Sequence, residues 1–228
     1  MTLRWVGTLG LCLGLLAGCG TLSTARPLEQ GETMVGATLG GGMFNFGGPL
    51  PLPNVVVEGR HGLRPLANRA FDLGYGLNLS ALPFGLTQGH VGASWLIVDQ
   101  AGARPAFSVN NRIFFGINVP GGPDRPTPRV QGWGADQIEV TASWKTERTL
   151  PYVSLSQYFD FRNPELLLTP AVGVQVDPAD PGGFVFQGEL RWFAITRTQD
   201  ILIPSWVPRR AGTLGVFVSG AVRFGGNR

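Results

Sequence analysis

Apolar and polar residues alternate through most of this chain, in runs of about 9–14 residues separated by clusters of Gly, Pro, Asp and Asn. Ten such runs stand out, at 32–44, 54–62, 71–82, 88–99, 105–119, 134–146, 150–161, 165–177, 183–196 and 212–225. In the third, Leu73, Tyr75, Leu77, Leu79 and Ala81 alternate with Asp72, Gly74, Gly76, Asn78 and Ser80. In the sixth, Ile138, Val140, Ala142 and Trp144 alternate with Gln137, Glu139, Thr141, Ser143 and Lys145. In the tenth, Leu214, Val216, Val218, Val222 and Phe224 alternate with Gly215, Ser219, Ala221 and Arg223. A period of two predicts β-strands with one apolar face each.

Composition agrees with an all-β chain. The 228 residues include 34 glycines and 18 prolines, roughly twice average usage, and that density disfavours a helical bundle. The glycines show no period of three, which removes collagen. Only 14% of residues are charged and 43% are hydrophobic, so the chain has the apolar surface that a disordered chain lacks.

Alternation alone fits two architectures. A sandwich or soluble barrel turns its apolar face inward, whereas a membrane-spanning barrel turns it toward lipid. The polar face separates them. It carries Gly, Ser, Asn and Ala with single charges rather than abundant Lys, Glu and Gln, which suits a narrow packed lumen better than open water. A tilted strand crosses a bilayer in roughly 9–11 residues, and ten is an even number, as bacterial barrels require for both termini to lie on one side. The predicted fold is therefore an antiparallel up-and-down β-barrel of about ten strands, transmembrane, with eight strands as the alternative. The longest connections, 120–133 and 197–211, both follow odd-numbered runs and emerge on one face, while 63–70 is long for a turn on the opposite face. Pro170, inside the eighth run, calls for a bulge in a sheet without edges, and Phe224 stands four residues short of the end, displacing a terminal aromatic.

Residues 1–19 contain Arg4, an apolar stretch from Trp5 to Leu16, and then Ala17-Gly18-Cys19. This is the layout of a secretory signal, too short to span a membrane stably. Leu16-Ala17-Gly18-Cys19 resembles the lipobox of bacterial lipoproteins. The resemblance implies cleavage after residue 18, a diacylglycerol on the Cys19 thiol and acylation of the new terminus, palmitate among the chains. Gly20 in place of Asp favours the outer membrane of a Gram-negative cell over inner-membrane retention. Cys12, the other cysteine, lies in the segment to be removed, so no disulfide framework or thiol catalyst is expected. The body resembles small outer-membrane β-barrels in general. The expected organisation is a signal peptide at 1–18, a lipidated terminus and polar linker at 19–31, and a barrel at 32–228.

With the apolar faces toward lipid, Glu58, Arg60, Asp72, Arg112, Glu139, Lys145, Asp160, Glu189, Arg191 and Arg223 face the lumen. Charges withdrawn from water need partners, so the expectation is a structural network of ion pairs, with a narrow charged conduit as the sharper reading. Trp95, Trp144 and Trp192 are candidates for an aromatic girdle at the membrane interface. Trp133 and Trp144 bracket the sixth run, but their odd separation puts them on opposite faces.

Catalytic chemistry has little support. His90, Gly92 and Ser94 share a face, which invites comparison with outer-membrane lipid A deacylases. Four residues of strand nevertheless separate His90 from Ser94 by about 13 Å, and His61 would have to approach from another strand. Two scattered histidines do not make a metal site, and Asp177 and Asp180 fit a turn. The net charge of +3 is spread along the chain and includes one lysine, Lys145, which argues against nucleic acid. No cofactor, metal or catalytic residue is assigned, and neither a protein partner nor an oligomeric state follows from the residues. Membrane lipid is the one partner implied. The expected role is a lipid-anchored outer-membrane barrel with a structural or surface-interaction function, the loops 120–133 and 197–211 being contact surfaces. The alternatives are a lipid-tethered periplasmic soluble barrel binding an apolar ligand, and a membrane-embedded lipid hydrolase.

Overall fold

Each of the ten alternating runs forms a strand. The computed structural model describes residues 22–45, 49–51, 54–80, 82, 86–118, 131–161, 165–177, 183–196 and 212–226. The barrel strands are β1 (Glu32–Asn45), β3 (Asn54–Gly62), β4 (Phe71–Asn78), β5 (Leu86–Val98), β6 (Ala106–Asn118), β7 (Gln131–Ser143), β8 (Thr149–Asp160), β9 (Leu167–Val176), β10 (Phe184–Phe193) and β11 (Thr213–Gly225). A three-residue strand, β2 (Pro49–Pro51), pairs only with the end of β1. Every barrel strand is antiparallel to its sequence neighbour, and β1 pairs with β11 from Glu32↔Gly225 to Gly42↔Gly215. The sheet closes on itself with ten strands. That settles the choice between ten and eight, and closure removes the unpaired edges of an open sheet.

The termini of the barrel, Glu32 and Gly225, lie at one end, here the terminal end. The connections 63–70, 99–105 and 144–148 share it, as do the ends of β9 and β10 at Val176 and Phe184. The first of these is compact despite its length: Leu66 and Arg69 bridge each other around Ala67 and Asn68, both with positive φ. The opposite ends of the strands make up the distal end. Residues 119–130 and 197–211, most of the two expected contact loops, lie outside the described residues, and residues 131–133 belong to β7 rather than to a loop.

Pro170 pairs with Leu155 of β8 without a bulge. Its missing N–H is accommodated differently, because the β9–β10 ladder stops at Ala171↔Arg191 and Pro170 lies one step beyond it. The register irregularity falls elsewhere, between Leu96 and Val98 of β5.

Burial separates the two faces. Val35, Leu73, Tyr75, Leu77, Ile113, Phe115, Ile138, Val140, Val153, Leu155, Val172, Phe186 and Val218 are exposed on the outside. The inward positions of the same strands include Asp72, Asn110, Arg112, Gln137, Glu139, Thr141, Ser154, Ser156, Glu189 and Arg191, all buried. This surface is the reverse of a water-soluble barrel and matches hydrocarbon. An apolar ligand cavity, as a soluble barrel would hold, is not what these strands enclose.

Glycine makes the packed interior possible. Across direct strand pairs, Gly40 faces Phe217, Gly76 faces His90, Gly116 faces Trp133 and Gly173 faces Tyr152. A Cβ at Gly76 would stand 2.3 Å from the His90 ring, and one at Gly173 would stand 2.2 Å from the Tyr152 hydroxyl. Each of these four inward side chains thus lies over a glycine on the neighbouring strand. Close approach of this kind is a recognised use of glycine in sheets.

Candidate functional site: an occupied lumen

The segment expected to be a polar linker runs inside the barrel. Leu22, Ser23, Thr24, Ala25 and Leu28 of the 19–31 linker are buried. The reversal that sends the chain from the lumen into the wall occurs at Gly31, whose φ of 80° is open to glycine without strain. Gly31 N–H donates to Gly62 O at 2.9 Å and Glu32 N–H to Glu29 O at 3.1 Å. Gly62 is required by the same bend, since a Cβ there would stand 1.8 Å from the Glu29 carbonyl oxygen.

Wall side chains bind both the backbone and the hydroxyls of this segment. Ser23 N–H donates to Glu189 Oε2 at 3.0 Å, Thr24 N–H to Glu139 Oε1 at 3.3 Å, and Leu28 N–H to Asp72 Oδ2 at 2.7 Å. Carbonyl oxygens are met by cations and amides: Gln187 Nε2 donates to Ser23 O at 2.9 Å and Arg60 Nη2 to Arg26 O at 3.0 Å. The hydroxyls are held as well. Ser23 Oγ donates to Glu139 Oε2 at 2.9 Å, Arg191 Nη2 donates to Ser23 Oγ at 3.0 Å, and Arg112 Nη2 donates to Thr24 Oγ1 at 2.9 Å. Apolar contacts complete the seat, Leu22 against Phe193 and Phe217, and Ala25 against Leu150 and Tyr152.

The wall groups also bind one another. Arg191 donates through Nε to Glu189 Oε1 at 2.8 Å and lies 3.8 Å from Glu139 Oε2. Tyr152 donates to Glu189 Oε2 at 2.8 Å, and Asn110 Nδ2 to Glu139 Oε1 at 3.0 Å. The Arg191 guanidinium stands 5.9 Å and 5.7 Å from the Phe193 and Phe217 ring centroids, near enough for cation–π attraction. Arg60 pairs with Asp72, and Thr38 donates to Glu58 at 3.1 Å. At the terminal end Arg223 pairs with Asp177 and lies 3.9 Å from Glu32.

Of the ten charges assigned to the lumen, Arg112, Glu139, Glu189 and Arg191 thus gather around Ser23 and Thr24, and Arg60 and Asp72 around Arg26 and Leu28. Glu58 and Arg223 stand on inward positions of β3 and β11, and Asp160 is half-buried at the distal end of β8. Lys145 is the exception. Strand β7 ends at Ser143, so the alternation stops before it, and its side chain is exposed in the terminal-end turn.

The tryptophans divide between the ends. Trp95 and Trp144 lie toward the terminal end, their indoles donating to the turn carbonyls of Leu66 at 3.1 Å and Ala103 at 3.0 Å. Trp192 lies outside, toward the distal end. Trp133 points inward and packs against Phe114, Ala135 and Tyr158.

The residues considered for catalysis are not assembled. His61 lies on the outer face, with Nδ1 2.7 Å from Thr33 Oγ1, while His90 faces inward with its ring 5.5 Å from that of Phe114. Ser94 donates to Thr24 Oγ1 at 3.5 Å rather than to a histidine. Among the described residues no group of three or more His, Cys, Asp or Glu is arranged to hold a metal. Cys19 lies outside the described residues.

Sequence reasoning found the wall and missed its occupant. The available signal was a mismatch of size: Tyr152, Phe193 and Phe217 stand on the inward phase, where neighbours are small or polar, while Leu22, Ala25 and Leu28 sit unpartnered in the preceding segment.

No protein-family model matches the chain, and neither does any curated protein. Among solved structures it is similar to an outer-membrane channel from Pseudomonas putida, with 8% identity, a TM-score of 0.49, and coverage of 90% of this chain and 99% of that one. It is also similar to the NanC porin, with 10% identity, a TM-score of 0.44 and coverage of 84% and 98%. A third is the N-terminal β-barrel domain of OprF from Pseudomonas aeruginosa, with 9% identity, a TM-score of 0.37 and coverage of 86% and 100%. The likeness to each is one of overall fold.

Proposed function

We propose that this chain is an outer-membrane β-barrel, anchored by lipid, whose lumen is closed whenever residues 22–28 are seated in it and whose role is structural or surface-interacting rather than catalytic. The observation that carries the reading is the pairing of an apolar exterior with a lumen filled by charged side chains and by residues 22–28. Such an exterior is stable only in contact with lipid, and a lumen so filled leaves little room for a substrate. The lipobox-like Leu16-Ala17-Gly18-Cys19 supports the anchor, since two or more acyl chains hold a protein to a membrane stably. Both termini of the barrel then face the periplasm, and the distal connections face outward.

The test removes the lipid and asks whether the body holds. Residues 1–19 are replaced by a cleavable signal without cysteine, and outer membranes are washed with alkaline carbonate and urea. Retention in the pellet is expected. Release as a folded soluble protein would sink the transmembrane reading.

A further inference from the structure

The contacts between residues 22–28 and the wall differ from those of a hydrophobic core. Most are hydrogen bonds with charged groups: backbone N–H donates to Asp72, Glu139 and Glu189, while Arg60 donates to a carbonyl and Arg112 and Arg191 donate to hydroxyls. Charged groups regain hydration when such a partner leaves, so opening this interface to water costs far less than opening an apolar one. A second observation points the same way. Asp72 Oδ1, Ser108 Oγ, Asn110 Oδ1 and Gln137 Oε1 are buried without a protein hydrogen-bond partner. Buried polar atoms of this kind are ordinarily satisfied by water.

We propose that residues 22–28 form a displaceable plug, and that its withdrawal turns the lumen into a water-filled conduit for small hydrated ions. Arg60, Arg112 and Arg191 line the vacated path against Asp72, Glu139 and Glu189. Opposite charges interleaved along this path, with Glu58 also facing inward, give a conduit with weak preference between anions and cations.

The plug and the anchor compete, a point that rests on the lipid-anchored reading. Leu22 packs against Phe217, eight residues along β11 from Gly225 at the terminal end, which is roughly 20 Å along the axis for a tilted strand. Cys19 is three residues from Leu22, and three residues of extended chain span about 10 Å at most. A lipid on Cys19 therefore cannot lie in the leaflet at the terminal end while the segment is seated. Anchoring there holds the plug out.

The experiment uses protein exported to the outer membrane with a cleavable, cysteine-free signal in place of residues 1–19, and reads conductance in planar bilayers in potassium chloride. In one variant residues 22–28 are replaced by Gly and Ser. In another, Ser23→Cys and Ser154→Cys, whose hydroxyls are 2.8 Å apart, tie the segment to β8 by a disulfide. The Gly/Ser variant is expected to conduct at least about tenfold more than the oxidised tied variant, with reduction partly restoring openings. A Gly/Ser variant that is folded, by circular dichroism and resistance to unfolding in cold detergent, yet as closed as the tied one overturns the proposal. So does one that fails to fold, because a segment needed for folding is core and not a plug. Mass analysis of the N-terminal peptide of the wild-type protein separates the two readings. An unmodified Cys19 removes the anchor and its competition with the plug, while the conductance comparison still decides whether the plug is displaceable.

Discussion

The backbone amide of Ser23 donates to Oε2 of Glu189 at 3.0 Å, joining residues 166 positions apart in the chain. The same oxygen accepts from the Tyr152 hydroxyl, and the other carboxylate oxygen accepts from Arg191. One side chain therefore holds the lumen segment, β8 and a buried guanidinium together.

Replacing Glu189→Ala is expected to cost the folded barrel about 3–5 kcal/mol, because it removes the carboxylate that binds the buried Arg191 guanidinium at 2.8 Å. Urea titration of tryptophan fluorescence in lipid vesicles reads the loss. A change below about 1 kcal/mol would show that Arg191 is solvated in place.

The exterior makes a prediction that separates lipid from water. Ile138, exposed in the middle of β7, faces hydrocarbon if the barrel spans the bilayer. Ile138→Arg is then expected to destabilise the vesicle-embedded protein by about 2–4 kcal/mol. On a water-facing surface the same change would be nearly neutral, so an unchanged unfolding midpoint argues against the spanning orientation.

Gly173 and Tyr152 form a direct cross-strand pair in which a Cβ at 173 would meet the tyrosine hydroxyl. Gly173→Ala is expected to cost about 1–3 kcal/mol by forcing the ring off its seat. In a Tyr152→Leu background the penalty should shrink, giving a coupling of about 0.5–3 kcal/mol in a double-mutant cycle. Additive effects would mean that the ring is not confined by the glycine.

At the terminal end Ala67 holds φ at 51° within the Leu66–Arg69 bridge. Left-handed backbone costs a residue with a Cβ roughly 1–2 kcal/mol, part of which glycine returns through its freer unfolded chain. Ala67→Gly is therefore expected to raise stability by about 0.5–1 kcal/mol, read as a shift of the urea midpoint. A lowered midpoint would count against this turn geometry.

What could be read from the chain was whatever is local. The alternation of Ile138, Val140 and Ala142 with Gln137, Glu139 and Thr141 fixes a strand and its two faces, because successive side chains of a strand point to opposite sides. The small and singly charged polar face was enough to turn the apolar one outward. Lys145 marks the limit of that reasoning: the pattern continues to it in sequence, but the strand stops at Ser143. Pro170 marks another, since where a ladder ends depends on the neighbouring strand.

Closure with ten strands and the contents of the lumen were decided only by the tertiary structure. Leu22 to Leu28 reads as a spacer in isolation, having no strand alternation of period two. Its place follows from the bend at Gly31 and from carboxylates, guanidiniums and aromatic rings that seven strands bring to one axis. Periodicity records which way each side chain leaves its own strand. It carries no record of which distant strands converge or of what fills the space between them, because that depends on closure of the sheet.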